Sequence, residues 1–313
     1  MTGWQPSPSM GASSKPRVVV IGASGQLGSD LMQALHNWAP LGLTHADIEV
    51  ADSASVNEKL DAAAPDAVIN CAAFHQVDDC ERYPEEAFRV NALGARNVAL
   101  ACARLGAFVV YVSTDYVFDG ELDRPYNEDD VPRPINVYGA SKLAGEHLVA
   151  ASEPRYLIVR VSSLFGVTGA SGKGGNFVET MIRKARAGET IRVVDDIVMS
   201  PTYAADAAVA IRELIAGGAS GIVHATNAGA CSWFEFARAI FEHLGWAVDL
   251  RPQRSVNRTA AARRPRNSAL ASSLLGTLGL EPPPWADALR RYLVAKAYLL
   301  ARGNDAPAHP GIL

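Results

Sequence analysis

This chain predicts a doubly wound, mainly parallel α/β sheet followed by a smaller C-terminal α/β lobe, and three observations carry that expectation. Short apolar, β-branched runs alternate with helix-period segments through the first half, the pattern of strands buried on both faces and joined by crossover helices. The first run, Arg17-Val18-Val19-Val20-Ile21, stops at a glycine-rich turn, Gly22-Ala23-Ser24-Gly25-Gln26-Leu27-Gly28, that opens a helix. Polar residues then gather at the end of a later strand, Ser113-Thr114-Asp115, where open α/β sheets bind their ligands. The expected architecture is Rossmann-like.

At 313 residues, 49% hydrophobic and 20% charged, the chain is long enough for one large domain or two unequal ones. A net charge of −4 gives no general attraction to nucleic acid or to an anionic membrane. Cys71, Cys80, Cys102 and Cys231 lack paired metal-ligand spacing, so reduced core thiols, a cytoplasmic location and no bound metal are expected. Met1 to Pro16 is rich in Ser, Pro and Gly and reads as a disordered leader rather than a signal peptide. No run approaches the roughly 18 apolar residues of a membrane helix.

Each element follows from its residues. Glycines at a strand-to-helix turn let the backbone approach a pyrophosphate closely, and the helix N-terminus offers free N–H groups, so the first turn reads as a dinucleotide site. A second strand is expected over Leu41 to His45. Its end carries neither an acid for a ribose hydroxyl nor an Arg for a 2′-phosphate, so NAD and NADP are not told apart there. Ser53 to Ala64 has a helical period, and Ala67-Val68-Ile69-Asn70 is a third strand ending in the small residues Cys71-Ala72-Ala73, which would admit a cofactor. Pro84 to Leu105 reads as one long helix with Phe88, Ala92, Ala95, Ala99 and Cys102 on one face. Ala107 to Val112 is the strand that presents Thr114, whose hydroxyl can bond a substrate carbonyl or simply form a turn.

After an acidic, proline-bearing loop, Pro134 suits the first turn of a helix holding Tyr138 and Lys142. Four residues apart, the pair shares one helix face. An ammonium beside a phenol favours the phenolate, which would make Tyr138 a general acid near neutral pH. A surface pair on an ordinary amphipathic helix is the plain alternative.

In the second half, Gly166 to Gly175 holds five glycines and Lys173, a mobile loop over the site or a linker. Helices are expected at about 176–187, 203–216, 232–244 and 285–301. Arg251, Arg254, Arg258, Arg263, Arg264 and Arg266 run without an acidic residue among them. Most should be solvated, with one or two available to a nucleotide diphosphate. The chain thus divides into a leader (1–16), a dinucleotide-binding domain (17–165, with contributions from about 190–225), a substrate lobe (166–302) and a tail (303–313).

Three motifs together, Gly22-x-x-Gly25-x-x-Gly28, Ser113-Thr114-Asp115-Tyr116-Val117-Phe118-Asp119-Gly120 and Tyr138-Gly-x-x-Lys142-x-x-Gly145-Glu146, resemble an extended short-chain dehydrogenase/reductase. Within that superfamily the chain is most similar to the dTDP-4-dehydrorhamnose reductases, from about Arg17 to Leu293. Asn176-Phe177, Ser200-Pro201-Thr202, Cys231-Ser232-Trp233 and Arg264-Pro265-Arg266-Asn267-Ser268 extend the likeness.

The resemblance implies reduction of the 4-keto group of a nucleotide-linked deoxysugar by a catalytic triad of Thr114, Tyr138 and Lys142. NADPH is the implied cofactor, with NADH as second choice. It places Gly22, Gly25, Gln26, Leu27 and Gly28 at the cofactor phosphates, Asp47 and Ile48 by the adenine, Ala72, Ala73 and Phe74 along the groove, and Tyr138 and Lys142 at the nicotinamide ribose. Substrate contacts are implied for Thr114, Asp115, Ser163, Asn176 and Arg266. A homodimer is left open.

The departures from that family lie on the substrate side. Where the reductases carry a Trp after Arg-Thr-Ser, this chain reads Arg160-Val161-Ser162-Ser163, and where they read Asp-Gln-x-Gly-x-Pro-Thr it has Asp196-Ile197-Val198-Met199-Ser200-Pro201-Thr202. The loss of an aromatic platform and of a Gln alters what a sugar can stack on and bond to. Two other classes compete. One is a sugar-nucleotide epimerase or dehydratase, although Tyr116 stands where dehydratases put a second acid. The other is a non-catalytic NADP-binding subunit like the regulatory subunit of methionine adenosyltransferase.

Overall fold

The computed structural model describes residues 15–152, 155–169, 175–255 and 261–300. Six strands form one parallel sheet: β1 (Val18–Ile21), β2 (Leu41–Leu43), β3 (Ala67–Asn70), β4 (Phe108–Thr114), β5 (Tyr156–Val161) and β6 (Gly221–His224). Their order is β6-β5-β4-β3-β1-β2, with Val20 level with Ile69 and Val68 level with Val109. Reversal of strand order beside β1 opens a crevice at the carboxyl ends of β1, β3 and β4, which fixes where a ligand enters.

Alternation along each strand explains why both faces are apolar. Val18, Val20, Ile69, Val110 and Val159 face Leu27, Leu31, Ala207 and Ile211, while Val19, Ile21, Val68, Val109 and Ile158 face Val56, Leu60, Val98 and Cys102. Helices thus cover the sheet on two sides, as the continuous apolar strands require. A separate aromatic cluster of Phe165, Phe236 and Tyr292, joined by Val178, Met181 and Leu289, builds the C-terminal lobe. Among the described residues no helix is long and apolar enough to cross a membrane, and all four cysteines are free.

Several boundaries differ from expectation for local reasons. Strand β2 ends at Leu43 because the Asp47 carboxylate accepts hydrogen bonds from both Thr44 N and Thr44 Oγ1, curling the chain into a turn. The Tyr138 helix spans Val137–Ala151 and begins three residues after Pro134, since Asn136 Oδ1 caps Gly139 N at 2.8 Å. Strand β4 runs on to Thr114, beyond Val112. The helical stretch from Pro84 to Leu105 is interrupted by a π turn at Arg89–Gly94. The last helix, Trp285–Ala295, stops short because Ala297 turns left-handed at φ 57°. The expected tail, nearly all of the leader, Arg258, and residues 170–174 of the glycine-rich segment lie outside the described residues.

Candidate active site

One cleft of about 890 Å³ runs across the carboxyl ends of β1, β3 and β4 and on to the C-terminal lobe. At one end the phosphate turn is built by close backbone approach. Gly22 has φ +80°, and a Cβ on Gly28 would lie 2.1 Å from Gly22 O, so no larger residue fits that crossing. The helix Gln26–Ala34 that follows has no side chain capping its first N–H groups. Those donors, with the positive end of the helix dipole, suit a pyrophosphate, and the cradle fits a dinucleotide. Gly22, Gly25, Gln26, Leu27 and Gly28 all line the cleft, as expected.

Beyond the end of β2 the cleft is lined by Thr44, His45, Ile48, Glu49, Glu86 and Arg89. Ile48 therefore faces the cleft, whereas Asp47 is exposed and holds Thr44 from outside the lining. Arg89 is bound through two nitrogens to Glu86, at 2.7 and 2.8 Å, and stands 3.7 Å from Glu49. No sequence signal points to these helix residues, because only the fold brings them to the end of β2. In the middle, Ala72, Ala73 and Phe74 form the groove wall. Asn91, from the π turn, fixes that wall by accepting from Phe74 N at 2.8 Å and donating to Phe74 O at 3.0 Å and Ser141 Oγ at 2.9 Å.

Thr114, Tyr138 and Lys142 meet at the reaction end. Thr114 is the last residue of β4, and Tyr138 and Lys142 come from consecutive turns of the Val137–Ala151 helix. Lys142 is 1% exposed; its Nζ donates to Val112 O at 2.6 Å and lies 4.0 Å over the Tyr111 ring. Burial lowers its pKa to about 7, against the opposing charge of Glu146. Burial also pushes the Tyr138 phenol well above its ordinary range, and the Thr114 hydroxyl is what draws it back. The expected lowering of Tyr138 by Lys142 is thus not the arrangement found. The ammonium is turned to a carbonyl and a ring face, and the phenol has Thr114 as its stabilising neighbour.

Beneath Lys142, one turn further along the helix, Glu146 forms a bidentate pair with Arg160 and accepts a hydrogen bond from Ser113 Oγ. His224 Nδ1 faces Ala271 O at 2.9 Å and Tyr126 O at 3.2 Å, so Nδ1 carries the proton and Nε2 is free to accept from Arg160 Nη1, 3.4 Å away.

On the substrate side, Asp115 lines the cleft but both its oxygens are engaged, Oδ1 by Thr114 Oγ1 and Oδ2 by Ser162 Oγ. Ser163 lines the cleft in a left-handed conformation, φ +44°. Asn176 lines it too, yet its amide is spent on the lobe: Oδ1 caps Glu179 N, and Nδ2 donates to Gly166 O and Tyr292 Oη. Arg266 is exposed and absent from the lining. Unforeseen are the aromatics Phe177 and Trp233, whose rings stand 4.7 Å apart on the lobe wall.

The family model described as "RmlD substrate binding domain" matches residues 16–297. A dTDP-4-dehydrorhamnose reductase of Mycolicibacterium smegmatis is 41% identical over 89% of this chain and 85% of its own length. A dTDP-4-keto-6-deoxy-D-glucose reductase of Streptomyces niveus is 38% identical over 87% and 95%. The crystal structure of dTDP-4-dehydrorhamnose reductase from Bacillus anthracis in complex with NADP superposes with a TM-score of 0.85 at 40% identity, covering 90% of this chain and 99% of that one. The glycine turn, the Thr114–Tyr138–Lys142 constellation and this likeness along nearly the whole chain agree: the protein belongs to the RmlD substrate binding domain family.

Proposed function

We propose that this protein reduces the 4-keto group of a dTDP-linked 6-deoxysugar, with NADPH as the donor. The observation that carries the reading is the placing of Thr114, Tyr138 and Lys142 at one end of a cleft whose other end is a phosphate-binding turn. Relatives near 40% identity that are named for this reduction point the same way. A second acid after Asp115 is missing, Tyr116 standing there, which disfavours elimination.

Gly22 and Gly25 to Gly28 would hold the phosphates, Thr44, His45 and Ile48 the adenosine, Ala72 to Phe74 the middle, and Lys142 the nicotinamide ribose. When bound, the cofactor supplies the hydride for C4 of the sugar. Tyr138 Oη gives its proton to the oxygen that becomes an alkoxide, and the Thr114 hydroxyl steadies that oxygen. Lys142, charged once a ribose or a phenolate faces it, offsets the charge left on Tyr138. The sugar and its base then lie toward Ser163, Phe177 and Trp233, whose rings offer stacking surface. Four free thiols suit the reducing cytoplasm.

The test follows NADPH and NADH oxidation by absorbance with a panel of dTDP-linked 4-keto-6-deoxysugars and a Tyr138→Phe control. Consumption that depends on one sugar and collapses in the control is the expected result. Dinucleotide binding with no sugar reduced would replace this reading by that of a binding protein.

A further inference from the structure

Asp115 is a buried carboxyl that the reaction above leaves without a task. It is 3% exposed, directly follows Thr114, and receives three hydroxyls: Thr114 Oγ1 on Oδ1 at 3.0 Å, Ser162 Oγ on Oδ2 at 2.9 Å, and the Ser268 side chain. Thr114 Oγ1 also accepts from Tyr116 N at 3.2 Å. A hydroxyl has one proton to give and two lone pairs to offer. With Asp115 ionised, the carboxylate takes the Thr114 proton in competition with the Tyr138 phenol, and the oxygen then presents only a lone pair toward the cleft. A ketone oxygen gaining negative charge needs a donor there, so this orientation opposes the reaction.

We propose that Asp115 is a positioning residue acting through Thr114: as the acid it donates to Thr114 Oγ1 and turns the Thr114 proton toward the substrate carbonyl, and as the carboxylate it turns that proton away. The proposal rests on the ketoreductase reading and adds a group that sets its pH dependence. Ser162 keeps Oδ2 as the acceptor, which leaves Oδ1, the oxygen beside Thr114, to carry the proton. No proton is consumed, since Tyr138 still supplies the one that ends on the product.

The surroundings allow the acid form near neutral pH. Burial raises the Asp115 pKa to about 6, and the hydroxyls of Ser268, Ser162 and Thr114 hold it from rising further. Across from it on the Val137–Ala151 helix stands Tyr138, whose phenol is pushed up by the Asp115 charge. The two buried cations of the site are committed elsewhere, Lys142 to Val112 O and Arg160 to Glu146. Arg266, close in sequence to Ser268, is exposed.

The test measures kcat and KM for NADPH-dependent reduction of dTDP-4-dehydrorhamnose from about pH 5 to about pH 8 in wild type, Asp115→Asn and Asp115→Ala. Wild-type kcat should fall as pH rises through the ionisation of Asp115. In Asp115→Asn the amide is a permanent donor to Thr114, so the fall should vanish and kcat at the alkaline end should exceed that of wild type. Asp115→Ala should lose about 10²-fold in kcat at the acid end, where wild type is fully active, and the gap should narrow as pH rises through the ionisation of Asp115. An unchanged limb in Asp115→Asn, or a loss equal to that of Asp115→Ala, overturns the proposal. Should wild type reduce no sugar, the ketoreductase reading falls, and infrared spectroscopy decides this one. A carboxylic-acid C=O band that is absent in Asp115→Asn and shifted in Thr114→Val supports it; no such band across that pH range refutes it.

Discussion

Glu146 and Arg160 form a two-pronged ion pair, at 2.9 and 2.7 Å, with side chains only 3% and 1% exposed. A pair so deep is worth little over an apolar pair of the same shape, but removing one member strands a charge. Glu146→Gln should therefore destabilise the fold by about 3–5 kcal/mol, whereas Glu146→Leu with Arg160→Met should come much closer to wild type. Urea unfolding of the three proteins checks this, and a single substitution that costs no more than the double would refute it.

Tyr138→Phe keeps the ring and removes the proton. We expect kcat to fall by about 10²- to 10⁴-fold, the usual contribution of a general acid, with far smaller change in NADPH affinity. Steady-state rates and a fluorescence titration separate the two effects.

Gly28→Ala tests the phosphate turn. A methyl there would meet Gly22 O at 2.1 Å and Gly22 C at 2.8 Å, both backbone, so the turn must open. Overpacking of this kind costs about 1–3 kcal/mol and moves the N–H groups that face the phosphates. Calorimetry should show a lower Tm and at least about tenfold weaker NADPH binding, since each 1.4 kcal/mol is tenfold.

Lys142 gives a pH signature of stability. Burial takes its pKa from 10.5 down to about 7, so the unfolded chain holds a proton that the folded one lacks between those values. Stability accordingly rises with pH across that window and is lowest at and below pH 7, a difference on the order of 5 kcal/mol. Lys142→Met should flatten this rise and stabilise the protein at neutral pH while abolishing turnover. Denaturant titrations at the two ends of the window measure it.

Asp30 behaves as its acidic counterpart. Its Oδ2 and the neighbouring Gln26 Oε1 are buried without a hydrogen-bond partner, and burial together with the Asp206 charge raises the Asp30 pKa from 3.8 to about 6. The cost of ionising it is thus present above pH 6 and gone below pH 3.8. Asp30→Asn should raise Tm at pH 8 and leave it unchanged in acid; equal shifts at both would contradict the assignment.

The parts of this protein written in local sequence were legible in advance. β-Branched runs mark β1, β3 and β4 to within one or two residues, because strands buried on both faces leave no room for polar interruptions. Thr114, Tyr138 and Lys142 line one cleft because strand ends and helix faces have fixed spacings that the sequence displays. Side-chain capping moved boundaries: Asn136 and Asp47 override the proline and the strand propensity beside them. Long-range assembly was hidden. Arg89, Trp233 and the Glu146–Arg160 pair reach the site from elements far apart in the chain, and Lys142 turns from Tyr138 to Val112 O for reasons of burial that spacing does not reveal.

The π turn at Arg89–Gly94 bears on the length of this protein as well as its shape. One residue beyond a regular helix swings Asn91 inward to bridge Phe74 and Ser141, where its own carbonyl also receives Tyr111 Oη at 2.8 Å. Deleting a single residue between 89 and 94 would close the turn to a regular α-helix, and because the π turn is what absorbs the extra residue, Ala95, Val98, Ala99 and Cys102 would keep their places in the core. Asn91 would lose its inward swing, and Phe74 its clamp. A deletion in the regular helix Ala95–Leu105 should instead turn all that follows by about 100° and cost far more stability.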